Sequence, residues 1–320
     1  MIDLILEPLQ YSFMTRALLV SLVAAVTCAL LSVWLVQIGW SLMGDAVSHA
    51  VLPGVVIAYL IGWPFAIGAF VFGVGAVALI GGIQATTRIK ADAAIGVVFT
   101  ALFALGVVLI SRTPSSVDLS HILFGNVLGT SAADLVQVLV IGALTVAVLL
   151  VKRRDLTLFA FDPAHAHALG LSVRGLRGLL LGLLALTVVT ALQAVGIILV
   201  VAMLITPGAT VVLLSRRFDR MLLLAVLITA ASAVAGVYAS YHLDIATGGS
   251  IVLAQAVAFL LAFLFGPRGG MLARLRGRRR ARASVPRRGV VGAGGGPGDP
   301  SGALGGAAGG APIGRDGAAS

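Results

Sequence analysis

Long apolar runs separated by short polar segments dominate the first 266 residues of the chain. A membrane-spanning helix needs about 20 mostly apolar residues, and several runs approach that length. These runs lie at 15–37, 42–61, 65–84, 93–111, 134–151, 176–194, 196–214, 221–239 and 249–266. The pattern therefore predicts an all-α, polytopic helical membrane protein with about eight or nine transmembrane helices.

Basic residues are concentrated in every second connection between these runs. They follow the third, fifth, seventh and ninth runs, whereas the connections after even-numbered runs hold only Arg112. Lys and Arg accumulate in the cytoplasmic loops of membrane proteins, so we expect the N-terminus outside and the C-terminus in the cytoplasm. The short linker at 193–196, between the sixth and seventh runs, predicts a tight extracellular hairpin.

The composition supports a membrane protein and argues against a nucleic-acid partner. Hydrophobic residues make up 59% of the chain and charged residues only 11%, compared with about 25% charged residues in typical soluble domains. Ten of the 22 Lys and Arg residues lie from Arg268 onward, so the positive charge does not form a basic face on a polar domain. Cys28 is the only cysteine, which excludes an intramolecular disulfide.

The sequence changes character after Gly266. Beyond this point Gly, Ala, Pro and Arg dominate, and the apolar runs disappear. Such a segment cannot bury enough apolar surface to fold alone. We therefore divide the chain into a transmembrane domain, 1–266, and a basic, disordered cytoplasmic tail, 267–320, whose arginines we expect to contact anionic membrane lipid.

An acid and a histidine lie four residues apart at the start of the second run. Positions i and i+4 share one face of a helix, so Asp45 and His49 could approach the same point. Ionisable groups inside a membrane often line an ion path, and carboxylate oxygen with imidazole nitrogen suits manganese, ferrous iron or zinc. The alternative is structural: Asp45 caps the helix, and His49 makes an interhelical hydrogen bond.

Three further positions are weaker candidates for a pathway or gate. Asp118 and His121 lie three residues apart in the connection after the fourth run, where capping and loop packing are the favoured explanation because polar groups cost little at the water boundary. Pro207 lies inside the seventh run, and proline frees backbone groups that must be satisfied within the protein. It indicates either a packing kink, the commoner case, or part of a transport route.

The long connection after the fifth run contains a short helix with clear end signals. Asp162 suits the N-cap, Pro163 the first helical position and Gly170 the residue after the C-cap. His165 and His167 are two residues apart and would lie on different sides of this helix, which argues against a shared metal ion. A well-marked helix between two membrane spans favours a docking partner.

The chain lacks the motifs of a hydrolytic enzyme. Neither Lys90 nor Lys152 follows a glycine, which excludes a phosphate-binding loop of the Walker type. Glu7 is the only glutamate, which excludes the His-Glu-x-x-His motif of zinc proteases. We therefore interpret the chain as a transport subunit that is not itself an enzyme and whose energy comes from a gradient or from a separate motor protein.

Four segments resemble the permease subunits of the ABC transporters for manganese, zinc and iron, the ABC-3 type. They are GDAVSHAVLPG at 44–54, DLSHILFGN at 118–126, FDP with ALGL at 161–171, and QAVG at 193–196 leading into the run at 204–207. The resemblance covers about residues 10–266, with the segments in the family order, and the first segment is specific to the family. The tail is not part of the pattern.

This resemblance implies a permease dimer in the bacterial cell membrane, cytoplasmic ABC ATPase subunits that supply the hydrolysis, and an extracytoplasmic metal-binding protein. It implies that Asp45 and His49 contribute to the metal site, and a two-fold dimer would bring two such pairs around its axis. It assigns the coupling to the ATPase to the helix at 162–171. The residues concerned are Asp162, Pro163, Ala168, Leu169 and Gly170.

The resemblance also implies that the metal is transported and that no cofactor is permanently bound. The motif at 44–54 is more similar to the branch for manganese or iron than to the zinc branch. Two alternatives stay open: a zinc importer of the same family, and a proton-coupled secondary metal carrier that uses Asp45 and His49 as a proton relay.

Overall fold

Helices form the whole architecture of the described part of the protein. The computed structural model describes residues 7, 10–112 and 129–267, so Asp118, His121 and the tail from 268 onward lie outside the described residues. Within these ranges there is no strand. The helices are α1 (Ser12–Ile38), α2 (Met43–Ala50), α3 (Leu52–Ile61), α4 (Phe65–Thr86), α5 (Ala91–Arg112), α6 (Ala132–Val151), α7 (Arg153–Phe161), α8 (Pro163–Ala168), α9 (Val173–Val195), α10 (Ile197–Leu214), α11 (Phe218–Leu243) and α12 (Thr247–Phe265).

Nine segments of the described ranges are long and apolar enough to cross a membrane. Eight are single helices, and the ninth runs from Met43 to Ile61 and combines α2 with α3. The prediction of an all-α, polytopic fold is therefore confirmed, with helix ends that differ from the predicted ends by a few residues. One detail was wrong: the second predicted span is two short helices rather than one.

Helix α1 is the centre of the first of two groups of helices. It contacts α6, α7, α9, α10 and α11, and α12 packs outside it against α10 and α11. The second group of helices, α2 to α5, packs together and meets the first group through α9 and α10. The buried Trp34 of α1 lies edge-on to Phe218 of α11, with 5.2 Å between the ring centroids.

Glycines allow two of these helices to touch through their backbones. A methyl group built on Gly54 of α3 would collide with the carbonyl oxygen of Gly68 in α4, and one built on Gly68 would collide with the carbonyl oxygen of Gly54. Small residues at helix crossings permit this close approach in membranes, where van der Waals packing drives helix association. The α3–α4 pair therefore depends on the absence of side chains at both positions.

Helix α10 runs through Pro207 without a break. The hydroxyl oxygen of Ser32 in α1 accepts a hydrogen bond of 2.9 Å from the backbone N–H of Gly208, and the hydroxyl lies 3.5 Å from the carbonyl oxygen of Ile205. A serine from a neighbouring helix commonly satisfies backbone groups that a proline disturbs. This arrangement favours the packing explanation of Pro207, and a role of Pro207 in the pathway stays a prediction.

The turn between α9 and α10 consists of Gly196 alone. Helix α9 ends at Val195 and α10 begins at Ile197, while Gly196 has φ 84° and ψ 163°. This region of backbone conformation is essentially restricted to glycine. The predicted tight hairpin is therefore confirmed.

Helix α7 was not predicted. It fills the first part of the connection after the fifth span and buries Leu156 and Phe159. It packs against α1 on one side and leads directly into α8 on the other. The connection is consequently attached to the core of the protein.

Candidate metal site and docking helix

Asp45 and His49 lie at opposite ends of the eight-residue helix α2. Asp45 is in its first turn and His49 in its last turn. Helix α3 begins immediately afterwards, with Pro53 in its first turn. Proline has no backbone N–H, so Pro53 cannot donate the helical hydrogen bond to the carbonyl of His49. The histidine is thus placed at the break between two short helices.

The two side chains approach each other closely. His49 Nε2 lies 3.4 Å from Asp45 Oδ1, and the side chains are 23% and 34% exposed, respectively. Two ligand atoms bound at about 2.1 Å to one tetrahedral ion are about 3.4 Å apart. The pair is therefore spaced to hold one ion without rearrangement of α2.

One chain supplies an incomplete set of donors. Within residues 10–112 and 129–267, no group of three or more His, Cys, Asp and Glu side chains is arranged to hold a metal ion. Structural zinc sites use four ligands, and other divalent ions use as many or more. The Asp45–His49 pair is consequently half of a site at most.

The structural alternatives for this pair find no support in the described residues. Leu42 occupies the N-cap of α2, and no side chain makes a capping hydrogen bond there. His49 Nδ1 is buried and has no hydrogen-bond partner in the described part of the chain. Neither a cap by Asp45 nor an interhelical hydrogen bond by His49 is present among the described residues, so neither of these two structural explanations accounts for the pair.

Aromatic rings of α5 hold the imidazole in place. The ring centroid of His49 lies 5.3 Å from that of Phe99 and 5.3 Å from that of Phe103, and both contacts are edge-to-face. The sequence analysis missed these two phenylalanines. Their spacing of four residues on one span is a signal for a shared helix face, but nothing in it shows which helix they meet.

Helix α10 fixes the beginning of α2. A methyl group built on Gly44 would lie 2.8 Å from Cδ1 of Leu204, which is closer than carbon atoms normally approach. Ser48 donates a hydrogen bond of 2.8 Å to the carbonyl oxygen of Gly44. Leu204 lies one turn before Pro207, so the start of α2, next to Asp45, packs against the part of α10 that contains this proline.

Helix α8 has the predicted ends. Asp162 Oδ1 accepts a hydrogen bond of 2.9 Å from the backbone N–H of His165, Pro163 is the first helical residue, and Gly170 has φ 80°. Only Ala166 is buried among residues 161–170, so His165 and His167 are surface residues as expected. The 62% exposed side chain of Leu169 presents an apolar contact at the tip of this helix.

A path of contacts leads from α8 to the Asp45–His49 pair. Helix α8 follows α7, and Phe159 of α7 lies edge-on to Trp40, with 6.4 Å between the centroids. Trp40 is 5% exposed, and the guanidinium carbon of Arg177 lies 5.8 Å from its ring centroid. The carbonyl oxygen of Trp40 accepts a hydrogen bond of 3.0 Å from the N–H of Met43, the first residue of α2.

Comparison with known proteins gives consistent matches over the membrane part of the chain. The family model of the ABC 3 transport family matches residues 10–266. The manganese transport system membrane protein MntB of Synechocystis sp. is 54% identical over 269 residues, 84% of this chain and 88% of that protein. The chelated iron transport system membrane protein YfeD of Yersinia pestis is 49% identical over 263 residues, 82% of this chain and 89% of that protein.

A solved structure supports the same fold. PsaBC from Streptococcus pneumoniae, determined in complex with Fab, superimposes with a TM-score of 0.77 at 39% sequence identity. The match covers 86% of this chain and 100% of the PsaBC chain.

Proposed function

Because the chain belongs to the ABC 3 transport family, we propose that it is the permease subunit of an ATP-driven importer of divalent metal ions, with manganese as the first choice and iron as the second. The observation that carries this proposal is the distance of 3.4 Å between His49 Nε2 and Asp45 Oδ1 at the break between α2 and α3. Relatives that are named for manganese and for chelated iron transport support the choice of metals.

The metal site is completed by a second copy of the chain. Each chain supplies one carboxylate and one imidazole, and a two-fold axis beside α2 brings two of each together. Carboxylate and imidazole ligands without sulfur suit Mn²⁺ or Fe²⁺. Zn²⁺ binds most such sites more tightly, so the choice between metals depends on site geometry and on the extracytoplasmic protein that delivers the ion.

Helix α8 is the docking element for a separate cytoplasmic ATPase subunit. Its exposed surface, with the capped start at Asp162 and the turn at Gly170, forms a rigid projection at the end of α7. Movement of this projection displaces α7, and the ring contact between Phe159 and Trp40 transmits the displacement to the start of α2. ATP-driven movement therefore reaches the metal ligands through one buried tryptophan.

The orientation and the domain division complete the proposal. The basic connections are cytoplasmic, with the N-terminus outside and the C-terminus inside. Residues 1–266 form the permease domain, of which the family model matches residues 10–266. Residues 267–320 form a cytoplasmic tail.

The function is tested by elemental analysis of cells that lack their own manganese uptake. Such cells receive this chain together with its proposed partners, an ABC ATPase and an extracytoplasmic metal-binding protein. We expect manganese to accumulate, and a Walker-lysine variant of the ATPase should abolish the accumulation. If the cells accumulate only zinc, the transported ion is zinc rather than manganese. Uptake that persists without the ATPase and disappears with a proton uncoupler would instead support a secondary carrier.

The aromatic support of His49 gives a first prediction. Replacing both Phe99 and Phe103 with leucine removes two edge-to-face contacts, each worth about 0.5–1.5 kcal/mol. We expect metal uptake at limiting metal concentration to fall by at least about fivefold, because the imidazole is then less well oriented. The measurement is the concentration dependence of radioactive manganese uptake.

The matched control for this prediction is the leucine variant of Phe259 and Phe263. These two residues also lie four apart, and their rings stack on α12. Equal losses in the two double variants would show that the effect of Phe99 and Phe103 is general destabilisation rather than support of His49.

The contact path through Trp40 gives a second prediction. In the assembled complex, Trp40→Leu is expected to leave ATP hydrolysis active while lowering the number of ions transported per ATP by at least about fivefold. Trp63→Leu is the control, because Trp63 is exposed near the end of α3. Transport and hydrolysis measured together in proteoliposomes provide the ratio, and an unchanged ratio would exclude Trp40 from the coupling path.

A further inference from the structure

A basic cavity lies at the ends of two membrane spans, apart from the Asp45–His49 pair. Its volume is about 820 Å³, and it opens between α7 and the beginning of α11. Four arginines and one acid line it together with aromatic side chains: Arg153, Arg154, Arg217, Arg220, Asp219 and Phe161. The proposed transport function uses none of these residues.

The cavity carries an excess of positive charge. The four guanidinium groups and the one carboxylate of the described lining residues give the cavity a formal charge of +3. Arg153 Nη1 lies 3.1 Å from Asp219 Oδ1. The other three arginines have no ion-pair partner in the described ranges. Three like charges around one cavity repel one another, and a bound anion would relieve this repulsion.

The start of α11 adds to the positive potential. This helix has 26 residues, Arg217 is at its N-cap, and no side chain makes a capping hydrogen bond. The N-terminus of a long helix carries a partial positive charge and backbone N–H groups that favour an anion. The arginines and the helix end therefore favour the same kind of ligand.

The surroundings of the cavity indicate a lipid rather than a small soluble anion. Val151, the last residue of the span α6, is 81% exposed, and Leu223, one turn after Arg220, is 60% exposed. Apolar side chains exposed at the ends of membrane spans are suited to contact with acyl chains. Phe161 and Phe218 add apolar surface inside the cavity. A headgroup in the cavity would thus have its acyl chains beside an apolar wall.

We propose that this cavity binds the phosphodiester headgroup of an anionic phospholipid, with Arg154, Arg217 and Arg220 as its ligands. Guanidinium groups bind phosphate oxygens in a bidentate manner. Basic pockets at the ends of membrane helices are suited to headgroups with two phosphodiester groups, such as that of cardiolipin. The charge of +3 matches two phosphates better than one. The proposal does not rest on metal transport, although α7, which carries Arg154, also lies in the proposed coupling path.

The test measures lipid binding by the purified full-length chain. Native mass spectrometry in detergent is carried out during titration with cardiolipin, phosphatidylglycerol or phosphatidylcholine. We expect cardiolipin to bind most tightly and phosphatidylcholine most weakly. The triple variant Arg154→Gln/Arg217→Gln/Arg220→Gln is expected to bind cardiolipin at least about tenfold more weakly, because it loses three charge-assisted contacts.

The control variant removes the same net charge at exposed arginines outside the cavity, Arg88→Gln/Arg112→Gln/Arg174→Gln. An equal loss of cardiolipin binding in this control would overturn the proposal, since the effect would then follow net charge. Displacement of cardiolipin by millimolar inorganic phosphate would also overturn it, in favour of a soluble anion. A third outcome would overturn the proposal as well: the first triple variant binds lipid normally but no longer binds the ATPase subunit. That outcome would identify the cavity as a protein-docking surface.

A single substitution keeps the test valid if the triple variant does not fold. Asp219→Asn removes the one carboxylate among the described residues that line the cavity and releases Arg153. We expect cardiolipin to bind severalfold more tightly to this variant. Unchanged or weaker binding would contradict the proposal.

Discussion

Manganese accumulation is expected to fall to background when His49 is replaced by alanine, while the amount of the protein in the membrane stays unchanged. Asp45→Asn should have a similar effect, because it keeps the volume of the side chain and removes its charge. Within residues 10–112 and 129–267, no third His, Cys, Asp or Glu side chain joins these two donors at the site. Removal of one ligand should therefore lower transport by more than the about 10- to 100-fold that follows removal of a residue hydrogen-bonded to a metal ligand. Elemental analysis of the complemented cells measures the effect.

His242→Ala is the matched control, because His242 is exposed at the end of α11. It is expected to transport manganese at the wild-type rate. Normal transport by both His49→Ala and Asp45→Asn would exclude the pair from the ion path. If the wild type transports zinc instead of manganese and both variants lose zinc transport, the pair still forms the metal site, and the transported ion is zinc.

Gly68→Ala is expected to abolish correct folding of the protein in the membrane. The added methyl group would collide with the carbonyl oxygen of Gly54, and a backbone atom cannot rotate away as a side chain can. Overpacking typically costs about 1–3 kcal/mol, and we expect this substitution to exceed that range. The measurement is the yield and thermal stability of the purified chain, followed by size-exclusion chromatography on heating.

The same helix provides the control substitutions. Added methyl groups at Gly75 and Gly82 of α4 would meet no atom within 4 Å. Alanine is more favourable than glycine inside a helix by about 0.5–1 kcal/mol, so Gly75→Ala and Gly82→Ala should leave the stability unchanged or raise it slightly. Equal behaviour of all three variants would show that α3 and α4 do not touch through Gly54 and Gly68.

The sequence determines the parts of this structure that depend on local pattern. Apolar runs of the length of a span predict the membrane helices, and end signals at Asp162, Pro163 and Gly170 predict α8. The approach of Asp45 to His49 was also predictable, because a spacing of four residues within one helix brings two side chains together without any knowledge of the fold.

The contacts that the sequence did not reveal join residues far apart in the chain. The rings of Phe99 and Phe103 meet His49 across two helices, and Phe159 meets Trp40 across more than a hundred residues. Helices that are apolar on every side give no signal of which side packs inward, since lipid is as apolar as a neighbouring helix. The break of the second span was missed as well, because an apolar run containing Pro53 is compatible with a continuous kinked helix.

The contact between Gly44 and Leu204 has a consequence for how this chain can evolve. The side chain of Leu204 occupies the space that a side chain at position 44 would need. A mutation of Gly44 to alanine requires Leu204 to adopt another rotamer, or to be replaced by a smaller residue. Natural variation beside Asp45 is therefore expected to be accompanied by variation at position 204 of a distant helix.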